Sequence, residues 1–201
     1  MGLRENKKAK TRKAISDLAT QLFLERGYHA VTTAEIAERA EVSVATLFNY
    51  FPVKEALVFD EDEELEAALV DAVLSRPAGQ SILEALRAFI LGGPFFRAFR
   101  PHPEPHYPQF RAMIQASPDL MAYTRQMCER YQKALAVAVQ HASNGLASES
   151  QAAAAAHFIL ESIHFAQKTA NPLAAFNAAF DLLSAGTDSW DVSWTTRYAL
   201  A

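Results

Sequence analysis

The sequence predicts an all-α protein. Three observations carry this. Apolar residues recur at the 3.6-residue period over most of the 201 positions. The periodic stretches are bounded by residues that start or stop helices, with Ser, Thr or Asn ahead and Gly, Asn or Pro behind. No alternating run of β-branched residues stands between turn signals, so no strand is expected.

Residues 1–9 read as a disordered basic arm. From about Ala9 to Arg26, Ile15, Leu18, Ala19, Leu22 and Phe23 share one helix face, and Gly27 ends the helix. Thr33 opens a second helix, with Ile36, Ala37 and Ala40 inward and Glu35 and Glu38 near its positive start. Only Glu41, Val42 and Ser43 separate it from a short third helix, Val44 to Tyr50, which Pro52 closes. Lys54 opens a long helix to about Arg76, broken by Pro77 and Gly79. Ser81 caps a helix through Ile90, stopped by Gly92, Gly93 and Pro94. The stretch from Phe95 to Pro108 is irregular, with prolines at 101, 103, 105 and 108.

Further helices are expected at Gln109–Ala116, Pro118–Ala142, Ser148–Thr169 and Pro172–Ala185. Ser117-Pro118 and Asn171-Pro172 each pair a cap with a first-turn proline, and Ser148 with Gln151 forms a capping box. Asn144-Gly145 and Gly186 are stops, and the tail 187–201, with Trp190 and Trp194, has room for one short helix. The expected division is a head at 1–53 and a bundle at 54–201.

The formal charge of −4 excludes a surface that is basic throughout, but the charge is unevenly placed. Residues 1–13 carry Arg4, Lys7, Lys8, Lys10, Arg12 and Lys13 against Glu5 alone, whereas residues 61–201 carry ten Lys/Arg against fifteen Asp/Glu. A basic head on an acidic body localises affinity for polyanions at one end. Cys128 is the single cysteine, so no intrachain disulfide is possible, as suits a reducing compartment. No apolar run approaches the roughly 18 residues that span a bilayer, and no apolar stretch follows the first basic residues as in a signal peptide. A cytoplasmic protein with no membrane contact is expected.

Residues 33–51, TAEIAERAEVSVATLFNYF, have the layout of a helix-turn-helix. Ala37 sits where two helices would cross closely, Val42 fills the turn, and Leu47 and Phe51 bury one face of the second helix. The opposite face would carry Val44, Ala45, Thr46, Asn49 and Tyr50 into a DNA major groove, which is wide enough for one α-helix. The competing reading is two packed helices of an ordinary bundle.

In residues 12–57 the ERGY, VTTAEIA, AEVSVATLFNYF and KEAL segments follow one another in the order and spacing of the tetracycline-repressor (TetR) family, whose DNA-binding domain this stretch resembles. The resemblance implies an all-helical homodimer, with a three-helix head that binds double-stranded operator DNA followed by a longer helical bundle for a small molecule and for dimerisation. It implies that Thr33 contacts phosphate, that Tyr50 and Lys54 grip the DNA backbone, that Thr46 begins the recognition helix, and that Val44, Ala45 and Asn49 meet base edges. Val44 and Ala45 are apolar where some relatives carry polar groups. Glu41 stands where the family's turn usually has glycine, so a positive φ there would strain it. Repression relieved by a ligand is the implied activity, and activation by the same fold is the alternative.

Weaker signals complete the reading. Six acidic residues within Asp60–Glu66 are expected to form a solvated helix face, the alternative being that they repel DNA from the long helix or couple ligand binding to the orientation of the head. His157, Glu161, His164 and Lys168 share one helix face, more in keeping with polar interface or pocket-lining groups than with metal ligands, and no cofactor or metal is expected. His102 and His106 are loop histidines, and Cys128 is a small core residue or an inert thiol. Eight of the thirteen phenylalanines fall between Phe95 and Phe180, so a hydrophobic effector is expected, walled by Phe95, Phe99, Phe110, Met113, Met127 and Phe165. The stretch 57–91 loosely resembles sensor domains of family members that bind acyl-CoA-like molecules. The resemblance also makes Ala155, Phe158, Ile159, Phe165 and Phe176, on the last two long helices, candidates for the dimer interface, with the chain's own core as the rival assignment. An enzyme is the rival class, but no nucleophile–base arrangement, phosphate-cradling glycine loop or carboxylate pair is evident. A helical interaction module that does not bind DNA is a third.

Overall fold

A computed structural model describes residues 2–93 and 106–187, and the described residues are helical, with no strand. The elements are α1 (Leu3–Arg26), α2 (Thr33–Arg39), α3 (Val44–Tyr50), a 3-10 turn (Lys54–Leu57), α4 (Asp62–Leu74), α5 (Ile82–Gly92), α6 (Tyr107–Ala116), α7 (Pro118–Ala142), α8 (Glu149–Gln167) and α9 (Pro172–Thr187). They form two compact units. The first takes in Met1–Glu63 and Glu104–Gln126, the second Glu64–Pro103 and Met127–Ala201, as far as these are described.

In the first unit, Ile15, Ala19, Leu22 and Phe23 line one face of α1 and are buried with Ile36 and Ala37 of α2, Leu47 of α3, Phe51, Leu57 and Leu120. Phe110, Met113, Ile114 and Tyr123 pack against this core half-buried. α1 begins at Leu3 and not near Ala9, so the expected disordered arm is helical. Lys, Arg, Glu and Ala are strong helix formers, and the Gly2 N–H donates to Glu5 Oε2 at 2.9 Å. Gly27 closes α1 at φ +86°, where its N–H donates to the Phe23 carbonyl and where a side chain would be strained.

The long helix expected from Lys54 to Arg76 is interrupted: residues 58–61 are not helical, and α4 starts at Asp62. The physical reason lies in α1. Ser16 Oγ donates to the Leu57 carbonyl at 3.2 Å and Arg12 Nη2 to the Asp60 carbonyl at 2.8 Å, so the broken backbone finds partners in side chains. The acidic run from Asp60 is better placed at the positive N-terminus of a new helix than in the middle of an old one.

The second unit buries Leu69 and Val73 of α4, Ile82, Leu86 and Ile90 of α5, Leu135 and Val139 of α7, and the small-residue face Ala152, Ala155, Ala156 of α8 with Ile159 and Ile163. α8 and α9 pack together, with Phe176 and Phe180 fully buried and their rings 4.5 Å apart. Arg87 joins α5 to α9, donating to Asp181 Oδ1 at 2.7 Å and the Asn177 carbonyl at 3.1 Å. Arg76 donates to the carbonyls of Val73 and Gln80 and, at 3.2 Å, to that of Ala142, satisfying acceptors that two helix ends leave over. Capping follows the sequence closely. Ser81 with Glu84 and Ser148 with Gln151 form reciprocal boxes, and Asn171 Oδ1 accepts from the Ala174 N–H at 3.2 Å. The irregular stretch, except its last residues, and the tail beyond 187 lie outside the described residues.

Candidate nucleic-acid interface

α2 is capped by Thr32, one residue earlier than the sequence suggests: its Oγ1 accepts from the Glu35 N–H at 3.1 Å, and Thr33 is the first helical residue, half-buried. α2 ends in a Schellman turn. The Val42 N–H donates to the Ala37 carbonyl at 2.9 Å and the Glu41 N–H to that of Glu38 at 3.1 Å. This geometry puts the residue after the cap in the left-handed region, and Glu41 stands there at φ +55°. Ser43 then caps α3, its Oγ accepting from the Thr46 N–H at 3.0 Å and lying 2.8 Å from Thr46 Oγ1. Ala37 is 1% exposed, small enough for α2 and α3 to cross closely.

α3 has seven residues, none of them charged. Leu47 and the following Phe51 are fully buried. Val44, Ala45, Phe48 and Asn49 are exposed and, at spacings of one, four and five, form one outward face. Thr46 and Tyr50 are half-buried on its flanks, Thr46 engaged with Ser43 and Tyr50 against the core. Phe48, 41% exposed at the centre of this face, was not among the residues singled out from the sequence. Its spacing of four from Val44 is the signal that finds it.

Around α3 several cations are occupied. Arg12 donates from Nη1 to the Tyr50 carbonyl at 2.7 Å and lies 4.6 Å from the Phe51 ring centroid, tying α1 to the end of α3. Arg26 and Arg39 both pair with Glu35, the latter at 3.2 Å. Lys54 is turned inward: its ammonium donates to the Tyr28 carbonyl at 2.7 Å and sits 4.2 Å from the Tyr28 ring centroid. Burial lowers its pKa. Tyr28 in turn donates to Glu55 Oε1 at 2.7 Å, and burial first, then that carboxylate, raises the phenol's pKa well above its ordinary value. Lys13 pairs with Asp17 at 2.9 Å, whereas Lys7, Lys8 and Lys10 stand exposed, Lys8 one turn before Arg12 on the same side of α1.

The residues expected at an effector site are divided between the two units. Phe110 and Met113 pack against the core of the first unit, Met127 is buried in the second, Phe165 is 52% exposed there, and Phe95 and Phe99 lie outside the described residues. Of the interface candidates, Ile159 and Phe176 are fully enclosed by the chain itself and Ala155 nearly so, while Phe158 is 55% exposed. The exposed apolar residues nearby in sequence are Phe165, Leu173 and Leu182. Among the described residues no three metal-ligating side chains cluster, and no helix is long and apolar enough to cross a membrane.

Residues 15–60 match the bacterial regulatory proteins of the tetR family. The chain is 36% identical over 85 residues to the transcriptional regulator TcmR of Streptomyces glaucescens, an alignment covering 42% of this chain and 38% of TcmR. It is 27% identical over 180 residues to the putative mycofactocin biosynthesis regulator MftR of Mycobacterium tuberculosis, covering 87% of this chain and 89% of that one. The fold is shared with the TetR family repressor AlkX from Dietzia, at a TM-score of 0.54 and 22% identity over 89% of this chain and 95% of AlkX.

Proposed function

We propose that the chain, whose residues 15–60 match the tetR family of bacterial regulatory proteins, is a dimeric, ligand-responsive repressor that reads a pseudo-palindromic operator with α3. The observation that carries this is the outward face Val44, Ala45, Phe48 and Asn49 on a short helix whose entry, crossing and exit are held by Ser43, Ala37 and Arg12. A face held this way reaches a groove without reorganisation, which is what binding rigid duplex requires. Thr33 and Tyr50 flank it, and Lys54 stiffens its support from within. Lys7, Lys8 and Lys10 supply the mobile positive charge for phosphates.

In this reading two copies pair through the exposed side of α8 and α9, and a hydrophobic effector binds within the second unit. The effector acts by its differential affinity for the DNA-competent and incompetent arrangements of the dimer, not by binding tightly as such. No catalytic role is assigned, and the protein works in the cytoplasm where its DNA is.

The test is selection from randomised duplexes by the full-length protein, followed by affinity measurements against salt. Lys8→Ala should weaken all sequences alike and lower the salt slope by about one. Asn49→Ala should leave the slope intact and relax preference at one adenine by about 1–3 kcal/mol. Failure to enrich any sequence would refute the proposal.

A further inference from the structure

We infer that α3 reads its half-site chiefly through thymine methyl groups, so that the operator is recognised by 5-methyl pyrimidines more than by hydrogen bonds. The inference rests on α3 being the recognition helix and goes beyond it in naming what is read. Three of the four outward residues, Val44, Ala45 and Phe48, are apolar, and Asn49 is the one polar side chain beside them. Val44 and Phe48, one turn apart on this face, leave 42% and 41% of their surface open.

In the major groove each A·T pair presents one methyl group, whereas a G·C pair presents the polar O6, N7 and N4 atoms and no methyl. Setting Phe48 and Val44 against guanine O6 and N7 or cytosine N4 would strip those atoms of water and return no hydrogen bond. Against a thymine methyl the same side chains bury apolar surface on both partners. The groups that read guanine best are arginine and lysine, and α3 has neither. Arg39 pairs with Glu35, Arg12 holds the Tyr50 carbonyl and Lys54 is folded onto Tyr28. Asn49 can pair with an adenine N6 and N7, so the core of the half-site is read as thymines around one adenine.

The experiment uses the enriched duplexes from the selection, remade with deoxyuridine in place of thymidine. Uracil pairs as thymine does and lacks only the methyl. Each contacted methyl removed should weaken binding about fourfold, the equilibrium equivalent of one buried methyl-sized group. The salt slope should not move, since no phosphate contact is touched. A 5-methylcytosine·guanine pair at a contacted step should bind more tightly than cytosine·guanine there, which separates the methyl from duplex stiffness. Phe48→Ala should bring the thymine-to-uracil ratio towards one, Phe48→Leu should keep most of it, and Lys8→Ala should leave it unchanged. Equal affinity for thymine and uracil duplexes, or an undiminished ratio in both Phe48→Ala and Val44→Ala, would overturn the inference while leaving sequence-specific binding intact. No enrichment of any duplex would overturn both it and the reading beneath it.

Discussion

Glu41 is where the backbone asks for something its side chain resists. An L-residue in the left-handed region is disfavoured by about 1–2 kcal/mol, and the Schellman turn after Arg39 leaves it no other conformation. Glycine removes that penalty and adds roughly 0.5–1 kcal/mol of unfolded-state entropy. Glu41→Gly should therefore stabilise the protein by about 0.5–1 kcal/mol, seen as a rise of a few degrees in Tm with operator affinity preserved. A fall in Tm would mean that Glu41 makes a compensating contact in the native state. Tyr28 contributes a pH dependence on the alkaline side. Its pKa is raised above the ordinary tyrosine value of 10, so the folded protein holds the phenolic proton more tightly than the unfolded chain. The Tyr28 contribution is complete below pH 10 and is lost as the pH rises above it. Tyr28→Phe should cost about 1–2 kcal/mol at neutral pH through the lost bond to Glu55. It should also flatten the alkaline limb of denaturant midpoints measured against pH.

Among the elements, the α2–α3 crossing is the least forgiving. Ala37 is enclosed, and a larger side chain there must displace α3 or the core behind it. Ala37→Leu should cost about 1–3 kcal/mol and lower operator affinity more than a surface substitution of equal destabilisation, because it tilts the reading face. Circular dichroism melts and binding isotherms on the same variant check both. The elements also show where a sequence suffices. The bounds of α3 and α7 are as the sequence implies, because local chemistry sets them: Ser43 and the Ser117-Pro118 pair at their starts, Pro52 and Asn144 after their ends. The break at 58–61 was not legible, since the groups that receive its carbonyls, Arg12 and Ser16, lie more than 40 residues earlier. Lys54 is similar. The family resemblance implies that it grips the DNA backbone, whereas its turn onto Tyr28 is set by the fold. Phe48 is legible by its spacing of four from Val44.

For the molecule as a whole, the decisive property is whether two heads act together. Periodicity placed apolar residues on α8 and α9 but could not say which face the chain keeps for itself. Ile159 and Phe176 turned inward, and Phe158 and Phe165, seven apart on one side of α8, stayed out. Two phenylalanines at about half exposure on one helix face are unfavourable in water unless covered. In the proposed dimer a second copy would cover them with the same residues under two-fold symmetry. Glu at both positions would oppose like charges across that axis while leaving the chain's own core untouched. The double variant Phe158→Glu with Phe165→Glu should run as a monomer by light scattering. Its helical content should be unchanged. Operator binding should fall by a hundredfold or more, because the second head no longer adds its effective concentration to the first. Its footprint should shrink to one half-site, or vanish at concentrations where the parent protects two. A dimer that survives both substitutions would place the interface elsewhere on the chain, while a monomer that still binds at full affinity would mean that one head carries the whole recognition.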